Sequence, residues 1–222
     1  MDPRRCPPDS GDVASTAQVE LHPVTVRRDP ARRLIQLVVG LLLFGTSMAM
    51  MSRSLLGLNP WDVLHEGLMH RTGLTFGTVT VVTAVTVLLL WIPLRQRPGI
   101  GTIANVVLIA VSVDVVRLLL PVQEHLATQI PLLLGGIVLN GFATALYVGA
   151  RLGPGPRDGL FTGLTARTGL SVRLVRTLIE VCVLATGWLL GGTAGLGTIL
   201  FAVSIGPLTQ LFLPWVVWRP RS

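Results

Sequence analysis

Lysine is absent from this chain, and all 18 of its basic residues are arginine. That pattern reflects a GC-rich coding sequence more readily than a mechanism. Charge of either sign is scarce: 13% of the 222 residues are charged while half are apolar, and the mean hydropathy is +0.67. Such a balance excludes the ordinary soluble globular class and points to an integral membrane protein. Cysteine is limited to Cys6, in a polar tail, and Cys182, inside an apolar run, so no disulfide framework can be argued. His22, His65, His70 and His125 form no helical pair with cysteine or carboxylate partners at ligand spacing, which leaves a metal site without support. Serine, histidine and aspartate are too scattered for a nucleophile–base–acid set. The Gly-x-Gly pairs lack the rest of a nucleotide fingerprint. The reading is therefore of a non-enzyme that needs no cofactor.

What is present is a duplication. Gly57, Pro60, Asp62, Leu64, Gly67, Leu68 and Arg71-Thr72-Gly73-Leu74 recur as Gly153, Pro156, Asp158, Leu160, Gly163, Leu164 and Arg167-Thr168-Gly169-Leu170. The same spacing pairs Gly40 with Gly136, Gly45 with Gly141, and Gly99-x-Gly101-Thr102-Ile103 with Gly195-x-Gly197-Thr198-Ile199. A repeat of this period marks one domain of two halves, and broken elements at matching places are a feature of transporter-like folds whose sites form between halves. The boundaries expected are a disordered cytoplasmic tail at 1–33, a membrane repeat at 34–121 and a second at 130–218.

Apolar runs of a length that crosses a hydrocarbon core about 30 Å thick fall at 34–51, 75–94, 100–120, 130–150, 172–190 and 196–217. Between the first and second of each half lies a short helical segment, 60–70 and 156–166, too short and polar to span. Asn59-Pro60 and Gly155-Pro156 open these segments, with Asp62 and Asp158 in the first turn, where an acid meets the positive helix end. Thr72-Gly73 and Thr168-Gly169 close them, and Thr75 and Ser171 are placed to cap the next apolar helices. The fold class expected is all-α, six transmembrane helices in two inverted three-span repeats, each with a short re-entrant or interfacial helix between its first and second spans.

The formal charge of +7 does not indicate a nucleic-acid partner, because the arginines lie in the tail and in connections between apolar spans. They act as topology signals: Arg27, Arg28, Arg32, Arg33, Arg95, Arg97, Arg151, Arg157, Arg167, Arg219 and Arg221 fall on one side of a six-span arrangement, and both termini are expected in the cytoplasm of an inner-membrane protein. With three spans per half the second copy enters from the opposite side.

Asp62 and Asp158 are the sharpest site residues, as caps of their own helices or, with Asn59 and Arg157, as a binding site for a small solute or ion between the halves. Asp114, Arg117, Arg176 and Glu180 are ionisable groups within apolar runs, where charge needs a protein or water environment. Their spacing allows local pairing, Asp114 with Arg117 and Arg176 with Glu180; a proton or ion relay is the alternative. The glycines at 99, 101, 195 and 197 fit close contact at helix entrances.

Pro60-Trp61-Asp62-Val63-Leu64-His65-x-Gly67-Leu68, Gly153-Pro154-Gly155-Pro156-Arg157-Asp158-Gly159-Leu160, the Arg-Thr-Gly-Leu repeats and Gly195-x-Gly197-Thr198 together resemble the YczE-like bacterial membrane proteins, grouped with YitT and YyaS. The resemblance spans residues 33–218. It implies a multi-pass plasma-membrane protein with a transporter or channel-like role. The competing expectation is a membrane scaffold or accessory factor that binds a partner protein and moves nothing. The partners expected are the lipid bilayer, a small solute or ion, and a second copy or another membrane protein.

Overall fold

The computed structural model describes residues 29–218. They form eight helices and, among the described residues, no strand. These are α1 (Pro30–Ser54), α2 (Pro60–Thr72), α3 (Phe76–Leu94), α4 (Ile100–Leu119), α5 (Leu126–Gly149), α6 (Pro156–Thr168), α7 (Val172–Leu189) and α8 (Leu196–Val216). Five of them, α1, α3, α4, α5 and α8, are long and apolar enough to cross a membrane, so the described residues form an all-helical, multi-pass membrane fold. α7 stands apart because its 18 residues include Arg173, Arg176 and Glu180. Helix α1 begins at Pro30, ahead of the boundary expected at 34. Most of the tail assigned to 1–33, with Cys6 and His22, lies outside the described residues, as do Arg219 and Arg221.

The short helices form where their end signals dictate. The Asn59 side chain accepts the Asp62 N–H at 3.0 Å, Pro60 occupies the first helical position, and Gly73 ends α2 with φ 71°. Helix α6 starts at Pro156 and ends at Gly169 with φ 72°. Only glycine takes that left-handed conformation without strain. Thr75 and Ser171 accept backbone N–H groups at the starts of α3 and α7.

At the centre α1 and α5 cross antiparallel. Gly40 faces Tyr147, Asn140 donates to Ser47 at 2.7 Å, and Gly136 faces Met51. In lipid such association comes from tight packing and interhelical hydrogen bonds, which is why small residues line the crossing. Helix α4 packs on α1, α8 on α5, α2 on α7 and α3 on α6, so each short helix leans on a long helix of the other half. The connection after α1 also reaches across: Gly197 donates to the Leu56 carbonyl at 2.8 Å, and Gly101 to the Leu152 carbonyl at 3.1 Å. The glycines thus do permit close contact, with the loops preceding the short helices.

The short helices enter the bundle from opposite ends. The C-terminus of α2 leads into the start of α3, and His70 beside it contacts the Gly191 carbonyl at 3.1 Å. The C-terminus of α6 lies at the far end of α3, where Arg167 donates to the Pro93 carbonyl at 2.8 Å. Nineteen helical residues separate these points by about 28 Å. Between them the two N-termini meet, with the Arg157 guanidinium 5.0 Å from the centre of the Trp61 ring.

Candidate functional site

A cavity of about 750 Å³ opens where α2 and α6 converge, walled by parts of both halves. Asn59, Arg157, Asp158, Arg176 and Glu180 line it, so five of the eight residues singled out from the sequence come together. Asp62 stands directly behind the wall. It is fully buried, its Oδ2 accepts from the Asn59 amide at 2.5 Å, and its Oδ1 lies 3.7 Å from Arg157 Nη2 and 3.4 Å from His65 Nδ1. The carboxylate held by the capping Asn59 side chain is thus the group that approaches the cation of the opposite half.

His65 is buried between this carboxylate, the Thr80 hydroxyl at 3.4 Å and the edge of the Phe76 ring. Burial lowers its pKa, with the Asp62 carboxylate pulling the other way. Burial raises the pKa of Asp158, and the nearby Arg176 and Arg157 oppose that rise. Its Oδ2 accepts from the Tyr147 hydroxyl at 3.3 Å. On α7, Arg176 donates to Glu180 at 2.8 Å, the local pair expected from their spacing, and lies over the Phe161 ring at 5.8 Å. Five charged side chains in an apolar bundle, Arg151 among them, with Asn105, Asn140 and Thr144 on the same wall, give a space able to hold a polar or ionic group.

Asp114 and Arg117 are not part of this cavity, and the pairing expected between them is corrected by their other partners. Asp114 accepts the Thr75 hydroxyl at 2.6 Å and the Gly77 N–H at 2.7 Å, so it closes the start of α3. Arg117 bonds the Ser52 hydroxyl, contacts Met69 Sδ at 3.6 Å and lies over the Phe76 ring at 4.9 Å. A carboxylate three residues away on the same helix loses to open backbone N–H groups on the next one.

Trp61, His65, Asn140 and Tyr147 were not singled out from the sequence. The first two lie one and three residues from Asp62, at positions the second half fills with Arg157 and Phe161, and Asn140 is a polar amide in an apolar run, a signal that was available. Tyr147 gives no local signal, because its place at Asp158 depends on how α5 meets α6.

Comparison with known proteins places this sequence in a family. The one described as "Family of unknown function (DUF6198)" matches residues 31–214. The chain belongs to it. It is 40% identical over 185 residues to an uncharacterized protein of Haemophilus influenzae, covering 83% of this chain and 85% of that one. It is 37% identical over 175 residues to the uncharacterized membrane protein YczE of Bacillus subtilis, covering 78% and 81%, and 26% identical over 182 residues to YyaS of the same organism, covering 80% and 90%. The resemblance read from the motifs is thereby shown: this is a YczE-like membrane protein. No solved structure matches it.

Proposed function

We propose that this protein moves a small solute or ion across the bacterial inner membrane through the cavity between its halves. The observation that carries the reading is the meeting of the α2 and α6 N-termini, approached from opposite ends of the bundle, at a wall holding Arg157, Asp158, Arg176 and Glu180. Discontinuous helices whose ends face a site at mid-depth are how many transporters bind polar cargo in a membrane. Charges are costly there unless water or a solute reaches them.

In this reading α7 is the sixth span, its charged face turned to the cavity, and α2 and α6 are re-entrant. The four helices of each half start at the same spacing, at 30, 60, 76 and 100 and at 126, 156, 172 and 196. The cross-contacts come in exchanged pairs, Leu56 with Gly197 and Leu152 with Gly101. Both support halves inverted about an axis perpendicular to the antiparallel α1 and α5. Arg33, Arg151 and Arg167 gather at one end of the bundle, which favours cytoplasmic termini.

The test is flux in proteoliposomes against a panel of small solutes, with Asp62→Asn and Asp158→Asn. Asn keeps shape and capping ability and removes charge, so both variants should insert, stay folded and lose flux. Unchanged flux in both, or no flux for any solute, favours instead a scaffold that binds a membrane partner or a second copy.

A further inference from the structure

The charged groups at the cavity are matched among themselves. Three guanidinium groups line it, on Arg151, Arg157 and Arg176, with the carboxylates of Asp158 and Glu180 beside them and that of Asp62 behind the wall. Three cations thus meet three carboxylates. Arg157 faces Asp62 at 3.7 Å, and Arg176 is bonded to Glu180 at 2.8 Å. Asp158 accepts from the Tyr147 hydroxyl at 3.3 Å, within the field of Arg157 and Arg176, and Arg151 is engaged as well. By formal count no charge of either sign is left over for an ionic ligand.

The uncharged polar groups are in the opposite condition. The side chains of Asn105 on α4, Thr144 on α5, and Thr209 and Gln210 on α8 line the same cavity and make no hydrogen bond among the described residues. Thr80 and Thr86 turn their hydroxyls back to the carbonyls of Phe76 and Val82 one turn away; Thr144 and Thr209 do not. An amide or hydroxyl within an apolar bundle is disfavoured unless water or a ligand bonds it, and these groups offer donors and acceptors together. Phe44 and Phe201 add apolar wall, and about 750 Å³ is room for an organic molecule rather than a bare ion. We infer that the cavity binds an uncharged, hydrogen-bonding organic molecule through Asn105, Thr144, Thr209 and Gln210, and rejects its ionised analogues because the fixed charges already compensate one another. This rests on the reading of the cavity as a solute site and narrows that solute to an uncharged one.

The test is calorimetric titration of the full-length protein in phosphatidylcholine nanodiscs, at slightly acid pH, with two matched sets of probes. One set is nicotinamide, nicotinate and 3-picolylamine; the other is glucose, gluconate and glucosamine. In at least one set the uncharged member should bind saturably, about tenfold or more tightly than either ion, since an ion loses its hydration with no free counter-charge to replace it. Asn105→Ala and Gln210→Ala should each weaken that binding about two- to tenfold, the loss of one hydrogen bond, with the unfolding temperature unchanged. Asp62→Asn, which leaves Arg157 without its carboxylate, should reverse the preference, so that the anion of that set binds more tightly than the uncharged member. An ion that binds the wild-type protein as tightly as its uncharged analogue overturns the inference. So does an absence of binding in both sets, or wild-type affinity in both alanine variants, and an unchanged preference in Asp62→Asn overturns the charge matching. Protein that carries Asp158-dependent flux of an ionic solute yet binds neither uncharged probe refutes the ligand class and leaves transport standing; saturable binding of an uncharged probe with no flux of any solute does the reverse.

Discussion

Helices α3 and α4 are a closed pair, and α7 and α8, which repeat them in position and length, are an open one. On α4, Ile109, Ala110 and Val113 are buried; at the corresponding places on α8, Ile205 and Thr209 are half-buried and Gly206 is exposed. One contact marks the difference. Gly77 lets the start of α3 lie against α4, where a Cβ would stand 2.6 Å from Asp114 Oδ2, and its N–H bonds that carboxylate. The corresponding residues are Arg173 and Gln210. A long cation in place of glycine, with an amide in place of the acid, cannot make the same approach. Duplicated halves therefore share a backbone plan, while individual side chains decide which half is sealed.

The comparison can be broken most strongly at Gly77. Gly77→Arg, which gives α3 the residue of α7, should cost roughly 2–3 kcal/mol through overpacking and loss of the close approach, read as thermal unfolding in detergent. A cost near zero would mean that α3 and α4 are held by something else. Asp114→Ala should cost about 1.5–3 kcal/mol, because two hydrogen bonds to an ionised acceptor disappear, whereas Gln210→Ala in the open half should stay within about 0.5 kcal/mol. Equal effects at the two positions would remove the distinction.

Smaller effects separate the two short helices. Asn59→Ala should cost about 1 kcal/mol as a lost cap, since its side chain accepts the Asp62 N–H and donates to the Asp62 carboxylate. Asp158→Asn should act in the opposite direction. Burial raises the Asp158 pKa, so folding disfavours its charged form, and stability falls as pH rises from the unfolded value through the folded one. Replacing it should raise the unfolding temperature at neutral pH and leave it unchanged at acid pH where the carboxyl is protonated in both states. A neutral-pH decrease would mean that the charge is well compensated.

Much of the framework was legible because it rests on local chemistry. Proline and glycine bound α2 and α6, Thr75 and Ser171 cap the starts of α3 and α7, and Arg176 pairs with Glu180 one turn away. Asp114 was misread because its partners, Thr75 and Gly77, come from a neighbouring helix and no periodicity along α4 reveals them. Tyr147 and Trp61 escaped notice for the same reason: which face of a helix meets a cavity is settled by packing between helices, and an apolar run carries little pattern to orient it. The charges of α7 were visible, yet their common exposure to one cavity was not.

A solute-accessible space on one side of a repeated pair is the central claim, and cysteine accessibility tests it most directly. Thr144 lines the cavity, whereas Met48, at the matching position of the first half, is fully buried. In protein carrying Cys6→Ser and Cys182→Ser, Thr144→Cys should react readily with a small hydrophilic methanethiosulfonate and Met48→Cys should not. Protection of both, or equal rates at both, would contradict the account.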